Sequence, residues 1–112
     1  MATDPNTVEF ILEQGSGAGH LTASRMFGEY GLYLDGKIIG LICDDTLFLK
    51  MTEAGRALLG EVVMAPAYPG AKPSFRLTPD ACEDREWFAG VLQATYNELP
   101  APKPKKAKRG GS

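Results

Sequence analysis

The sequence predicts an α+β fold: an antiparallel sheet of four to five strands with helices packed on it, in the order α-β-β-β-β-α-β-α. Three observations predict it. Apolar residues recur at helical spacing near the two ends of the 112-residue chain. Strand-length apolar segments crowd residues 22–51. Between two of them lies Asp35-Gly36, a two-residue hairpin signal, because glycine readily takes the positive φ that a type I′ turn requires.

Each element has its own justification. Pro5 suits the first turn of a helix, and Asp4 precedes it as a cap. Val8, Ile11 and Leu12 then follow at helical spacing, and Gly15, Gly17 and Gly19 stop the helix, which is placed at 5–14. Thr22–Phe27, Tyr30–Leu34, Lys37–Cys43 and Thr46–Met51 are the four strands, with Asp44-Asp45 as the turn before the last. Thr52 caps a short helix that Gly60 ends. Pro66, Pro69, Gly70 and Pro73 make residues 64–73 a loop or irregular edge, and Ser74–Leu77 a brief edge strand. Residues 79–99 form the last helix. Thr78 is the expected cap, Asp80, Glu83 and Asp84 favour the positive end of its dipole, and Trp87, Phe88, Val91, Leu92, Thr95 and Tyr96 trace an apolar stripe.

The hairpin turn sets a register. An unbroken ladder places Leu34 opposite Lys37, Leu32 opposite Ile39 and Gly31 opposite Gly40. One face then carries Tyr30, Leu32, Leu34, Ile39, Leu41 and Cys43. The other carries Gly31, Tyr33, Ile38, Gly40 and Ile42. Both are apolar, and a single helical layer covers one. The second face therefore expects a cover, either a further segment of this chain or a second copy of the protein, and a homodimer through that face is the expected partnership. Opposed Gly31 and Gly40 would leave a furrow there.

Composition bounds the function. Apolar residues make up 44% of the chain, enough for one modest core. The expected organisation is one domain over residues 1–100 and a disordered basic tail over 101–112. No stretch is long and apolar enough to span a bilayer, and Met1–Asn6 does not resemble a secretory signal, so the cytoplasm is the expected location. Net charge is −2. Lys103, Lys105, Lys106, Lys108 and Arg109 concentrate five cations in the tail. Removing them from the twelve basic residues leaves seven against fourteen acidic ones, so residues 1–100 carry −7. Such a body repels phosphate, and nucleic-acid contact falls to the tail, where it would be weak and non-specific.

Candidate chemical groups are sparse. The two cysteines, Cys43 and Cys82, form no CxxC pattern and read as small apolar residues. The single histidine, His20, lies in a glycine-rich connection, and no spacing pairs it with either thiol. Asp44 and Asp45 read as turn formers, since their neighbours complete no hard-cation ligand set. No catalytic residue, metal or cofactor is expected. Arg25, Tyr33, Ile38 and Ile42 are the candidate interaction residues, Arg25 because its planar donor fork suits an acidic partner. A pocket lined by Tyr30, Tyr33 or Tyr68 is the alternative that would make the chain a small-molecule binder.

The stretch Arg25-Met26-Phe27-Gly28-Glu29-Tyr30-Gly31-Leu32-Tyr33-Leu34-Asp35-Gly36-Lys37, continued through Ile38–Asp45 and Leu47-Phe48-Leu49-Lys50, resembles the signature of the TfoX N-terminal domain family. The resemblance spans about residues 8–97. It implies an α+β, secretion-chaperone-like fold and supplies no catalytic residues. In full-length members this domain precedes a helical one. Those proteins promote transcription of DNA-uptake genes together with the cyclic-AMP receptor protein. The resemblance thus implies a non-enzymatic regulatory protein-interaction domain, linked to transcription or competence. A DNA-associated regulator acting through the tail is the alternative.

Overall fold

The computed structural model describes residues 3–26 and 29–99; the basic tail lies outside them. The fold is α+β, and its sheet has six strands, rather than four to five, all antiparallel. In chain order the elements are α1 (Pro5–Gln14), a 3₁₀ turn (Ser16–Ala18), β1 (Leu21–Met26), β2 (Glu29–Leu34), β3 (Lys37–Cys43), β4 (Thr46–Leu49), α2 (Glu53–Leu59), β5 (Val63–Pro66), β6 (Pro73–Leu77), a second 3₁₀ turn (Pro79–Cys82) and α3 (Arg85–Glu98). The spatial strand order is β1-β2-β3-β4-β6-β5.

The helix starts follow from local chemistry. Asp4 accepts a hydrogen bond from the Asn6 amide at the start of α1, and Thr52 accepts from the Gly55 amide at the start of α2. The expected single helix over 79–99 is instead a 3₁₀ turn followed by α3. Thr78 makes no side-chain cap bond. Asp84 is extended and accepts from the Trp87 amide at 3.1 Å, so the real cap lies six residues later in the chain. Of the two readings of residues 64–73, a loop or an irregular edge, the edge is the one found: β5 reaches into that segment, and its exposed Pro66 fits an edge that needs no further donor.

The hairpin departs from the unbroken register. Leu34 pairs with Lys37 and Tyr33 with Ile38, but Leu32 pairs with Gly40 and Gly31 with Leu41. Ile39 is the extra residue of a β-bulge. Its carbonyl is satisfied by the Lys50 amide at 2.9 Å. Gly40 is needed here because a Cβ would sit 2.6 Å from the Phe48 carbonyl oxygen. Its lack of a side chain serves this close strand contact, and the expected furrow of two opposed glycines does not form.

The bulge inverts the parity of everything after it. Ile42, expected on the open face, is wholly buried in the core, and Leu41 takes the open face in its place. The core joins Leu32, Leu34, Ile39, Ile42, Leu47, Leu49, Phe75 and Leu77 of the sheet to Val8 and Ile11 of α1 and Phe88, Val91 and Leu92 of α3. All helical packing is on this face. Among the described residues, Tyr33, Ile38, Leu41 and Phe48 on the other face have no place in that cluster.

Candidate interaction surfaces

The helix-free face is built by cross-strand pairing. Ser24 lies opposite Gly31, Gly31 opposite Leu41, Leu41 opposite Phe48, Phe48 opposite Arg76, and Arg76 opposite Val63. One row of side chains therefore crosses all six strands. A shorter row, Thr22–Tyr33–Ile38, runs beside it. The centre of the face is apolar, Thr22 and Ser24 give it a polar margin on β1, and exposed Arg76 and Val63 lie side by side at the opposite margin. Phe48 is 7% exposed although no helix covers it, so its neighbours on the sheet shield it. Tyr33, Ile38 and Leu41 are half-buried, and Val63 is 60% exposed.

The structure brings together two of the four expected interaction residues, Tyr33 and Ile38. Ile42 is on the opposite, buried side. Arg25 is exposed, but it pairs with Tyr30 on the helix-bearing face and lies over that ring at 5.7 Å. Leu41 and Phe48 are the members that the sequence reading assigned elsewhere or passed over. The only signal for them is the glycine at position 40, which marks the bulge once its neighbour is known. Lys103, Lys105, Lys106, Lys108 and Arg109 lie outside the described residues.

Glu29, Asp35, Lys37 and Asp45 of the signature stretch hold the ends of the sheet. Glu29 Oε1 accepts from the Thr3 amide at 3.0 Å and Oε2 from the Asp44 amide at 3.2 Å. Asp44 and Asp45 both have positive φ, at 52° and 58°, which short polar side chains tolerate. Asp45 accepts from the Asp4 amide and the Thr7 hydroxyl, and so ties the turn to the start of α1. Burial pushes the Glu29 carboxyl up, but hydrogen bonds from Thr3 and the Asp44 amide outweigh it and hold it below the usual carboxylate range. At the other end, Asp35 Oδ1 accepts from the His20 amide at 3.0 Å. Lys37 Nζ donates to the carbonyls of Tyr96 and Leu99, each at 2.7 Å, and sits 4.1 Å from the centre of the Tyr96 ring. A cation thus closes the negative end of α3.

Nucleophilic chemistry finds no support in this geometry. His20 adjoins Asp35 at the β2–β3 tip, whereas Cys43 ends β3 at the far end of the strand. Six residues of strand separate those ends by about 20 Å. Cys82 is fully buried, and burial pushes its thiol up to about 12. Burial also raises Cys43. Among the described residues no group of three or more His, Cys, Asp or Glu side chains converges as a metal site. A groove of about 610 Å³ opens beside α2, lined by Met51, Thr52, Glu53, Arg56, Ala57, Phe75 and Glu98. None of the expected tyrosines lines it. Its Glu98 carboxylate is already engaged by the Glu53 and Ala54 amides.

The sequence profile of the TfoX N-terminal domain matches residues 13–99. The chain belongs to the TfoX N-terminal domain family. The matched residues run from the end of α1 through α3 and so include all six strands. The chain is also similar to a curated relative over nearly its whole length: an uncharacterized 12.7 kDa protein in the trpE 5′ region of Spirochaeta aurantia is 41% identical over 108 residues, covering 96% of this chain and 93% of the relative. The TfoX-type signature around Arg25–Lys37 is therefore accounted for largely by the fold. Glu29, Asp35 and Lys37 are spent on element ends, and Leu32 and Leu34 on the core.

Proposed function

We propose that this TfoX N-terminal domain is a non-enzymatic regulatory protein-interaction domain that works in the cytoplasm as a homodimer. Its working surface is the helix-free sheet face centred on Tyr33, Ile38, Leu41 and Phe48. The observation that carries the reading is that face itself: Tyr33, Ile38, Leu41 and Phe48 form an apolar centre on a six-stranded sheet, with no helix over it among the described residues. A buried-then-exposed alternation would have given it polar side chains if water were its only neighbour. The partner that fits is a protein surface with an apolar centre and a carboxylate to meet exposed Arg76. Family kinship links the reading to the transcriptional control of competence.

The test is affinity capture from the native host with three baits: the intact chain, an Ile38→Asp variant, and a chain ending at residue 100. The reading predicts a discrete set of transcription proteins on the intact and truncated baits and their loss on Ile38→Asp. Equal recovery on Ile38→Asp would refute the face.

A second reading rests on the charge asymmetry. The five tail cations supply a nucleic-acid contact that the −7 body cannot. It predicts a slope of about −4.5 in log K against log salt for duplex DNA, and no binding by the chain ending at residue 100. Binding that survives truncation excludes this reading.

A further inference from the structure

We propose that two copies of this chain join along β1, antiparallel across a two-fold axis at Ala23, to make one continuous twelve-stranded sheet from two sheets of six. The inference rests on the homodimer put forward above and seats the second copy on the edge strand β1 instead of on the helix-free face, where the sequence reading expected it.

The argument begins with where the backbone of β1 points. The Asp35 amide donates to the His20 carbonyl at 2.9 Å, so position 20 faces β2 with its hydrogen-bonding groups. In an antiparallel ladder such positions alternate. Thr22 and Ser24 therefore bond inward to Tyr33 and Gly31, while Leu21, Ala23 and Arg25 stand in non-bonded pairs and direct both N–H and C=O outward. Among the described residues nothing hydrogen-bonds to those outward groups.

The two edges of the sheet are not alike. β5, the other edge, is four residues long and ends in Pro66, opposite Pro73. Shortness and proline are ways in which sheet edges are blunted. β1 is six residues long and has no proline, no lysine and no bulge. Its one charge is Arg25.

The edge is also complementary to itself. With the axis at Ala23, the Ala23 residues of the two copies form one bonded pair. Leu21 of each copy forms another with Arg25 of its partner. Every outward group of the three residues is then used. This register sets each arginine against a leucine, whereas an axis at Arg25 would oppose two like charges. Thr22 and Ser24, on the helix-free side, meet at the seam. The two helix-free faces become neighbours in one wider surface, consistent with a partner-binding role for both.

The test uses the full chain. Light scattering should give twice 12.1 kDa for the native sequence. Ala23→Pro removes an N–H that the β1–β2 ladder does not use, and proline is tolerated on an edge strand. It should raise the dimer dissociation constant by about thirtyfold or more, through the two lost bonds of the central pair, with cooperative thermal unfolding retained. Ala23→Cys should form an interchain disulfide under mild oxidation, because a bonded antiparallel pair holds its Cα atoms about 5.5 Å apart. Ser24→Cys lies about 8 Å from its copy in this register and should not. If Ala23→Pro fails to fold, the two cysteine variants decide. A dimer that survives Ala23→Pro and leaves Ala23→Cys unlinked overturns the edge pairing but not the homodimer. A native chain that stays monomeric at high concentration overturns both.

Discussion

Replacing Ile42 or its neighbour Leu41 with aspartate separates the two registers of the central hairpin. Ile42 is wholly buried between sheet and helices, whereas Leu41 is half-buried on the helix-free face. Loss of the Ile42 side chain removes ~1.5–3 kcal/mol of burial. The new carboxyl has no described polar partner in an apolar core, so it must stay protonated. At pH 7, about three units above the ordinary aspartate pKa, that costs about 4 kcal/mol. Together these reach about 6–7 kcal/mol, against a total stability on the order of 5–15 kcal/mol. Ile42→Asp should therefore leave the chain largely unfolded. Leu41→Asp keeps its carboxylate near water and loses only part of the burial, about 1 kcal/mol. Urea titration followed by circular dichroism and Trp87 fluorescence reads both. An equal loss, or a greater loss for Leu41→Asp, would refute the bulge at Ile39 and restore the unbroken ladder.

Two further outcomes follow from the ends of the sheet. Lys37→Met should cost about 2 kcal/mol, because the two 2.7 Å charge-assisted bonds to Tyr96 and Leu99 are lost together; thermal unfolding should then fall by about 8 °C, and an unchanged midpoint would show that the cap contributes nothing. The Glu29 carboxyl is held below its ordinary value in the fold, so its contribution is complete above the unfolded pKa of about 4.3 and is lost as pH falls through the lower folded value. Glu29→Gln should be less stable at pH 7 and should flatten the acid side of the stability profile between about pH 5 and 3; a profile parallel to the native one would place the acid sensitivity elsewhere.

Much of the fold was legible because it is written locally. Asp4-Pro5 and Gly15 bound α1, Thr52 and Gly60 bound α2, and Asp35-Gly36 fixed the hairpin tip. What escaped depends on distant partners. The bulge follows from the approach of the Phe48 backbone to Gly40, which no spacing along β3 reveals. The break before α3 turns on which of several acidic residues caps it, and Asp84 prevails over Thr78. The prolines of residues 64–73 left a loop and an irregular edge equally open, because β5 is defined only by its pairing with β6. The candidate surface was half legible for the same reason. Alternation found Tyr33 and Ile38 on one side, and one extra residue then exchanged Ile42 for Leu41. The roles of Glu29 and Lys37 were invisible, since each is defined by residues 15 to 62 positions away.

The regulatory reading is tested most directly by transcript profiling in the native host. The strains compared are one lacking the chain and the same strain carrying either the native sequence or Ile38→Asp at equal protein level. The account predicts that a defined set of transcripts shifts on deletion, returns with the native sequence and stays shifted with Ile38→Asp. An unchanged transcript pattern alongside accumulation of a metabolite would contradict it.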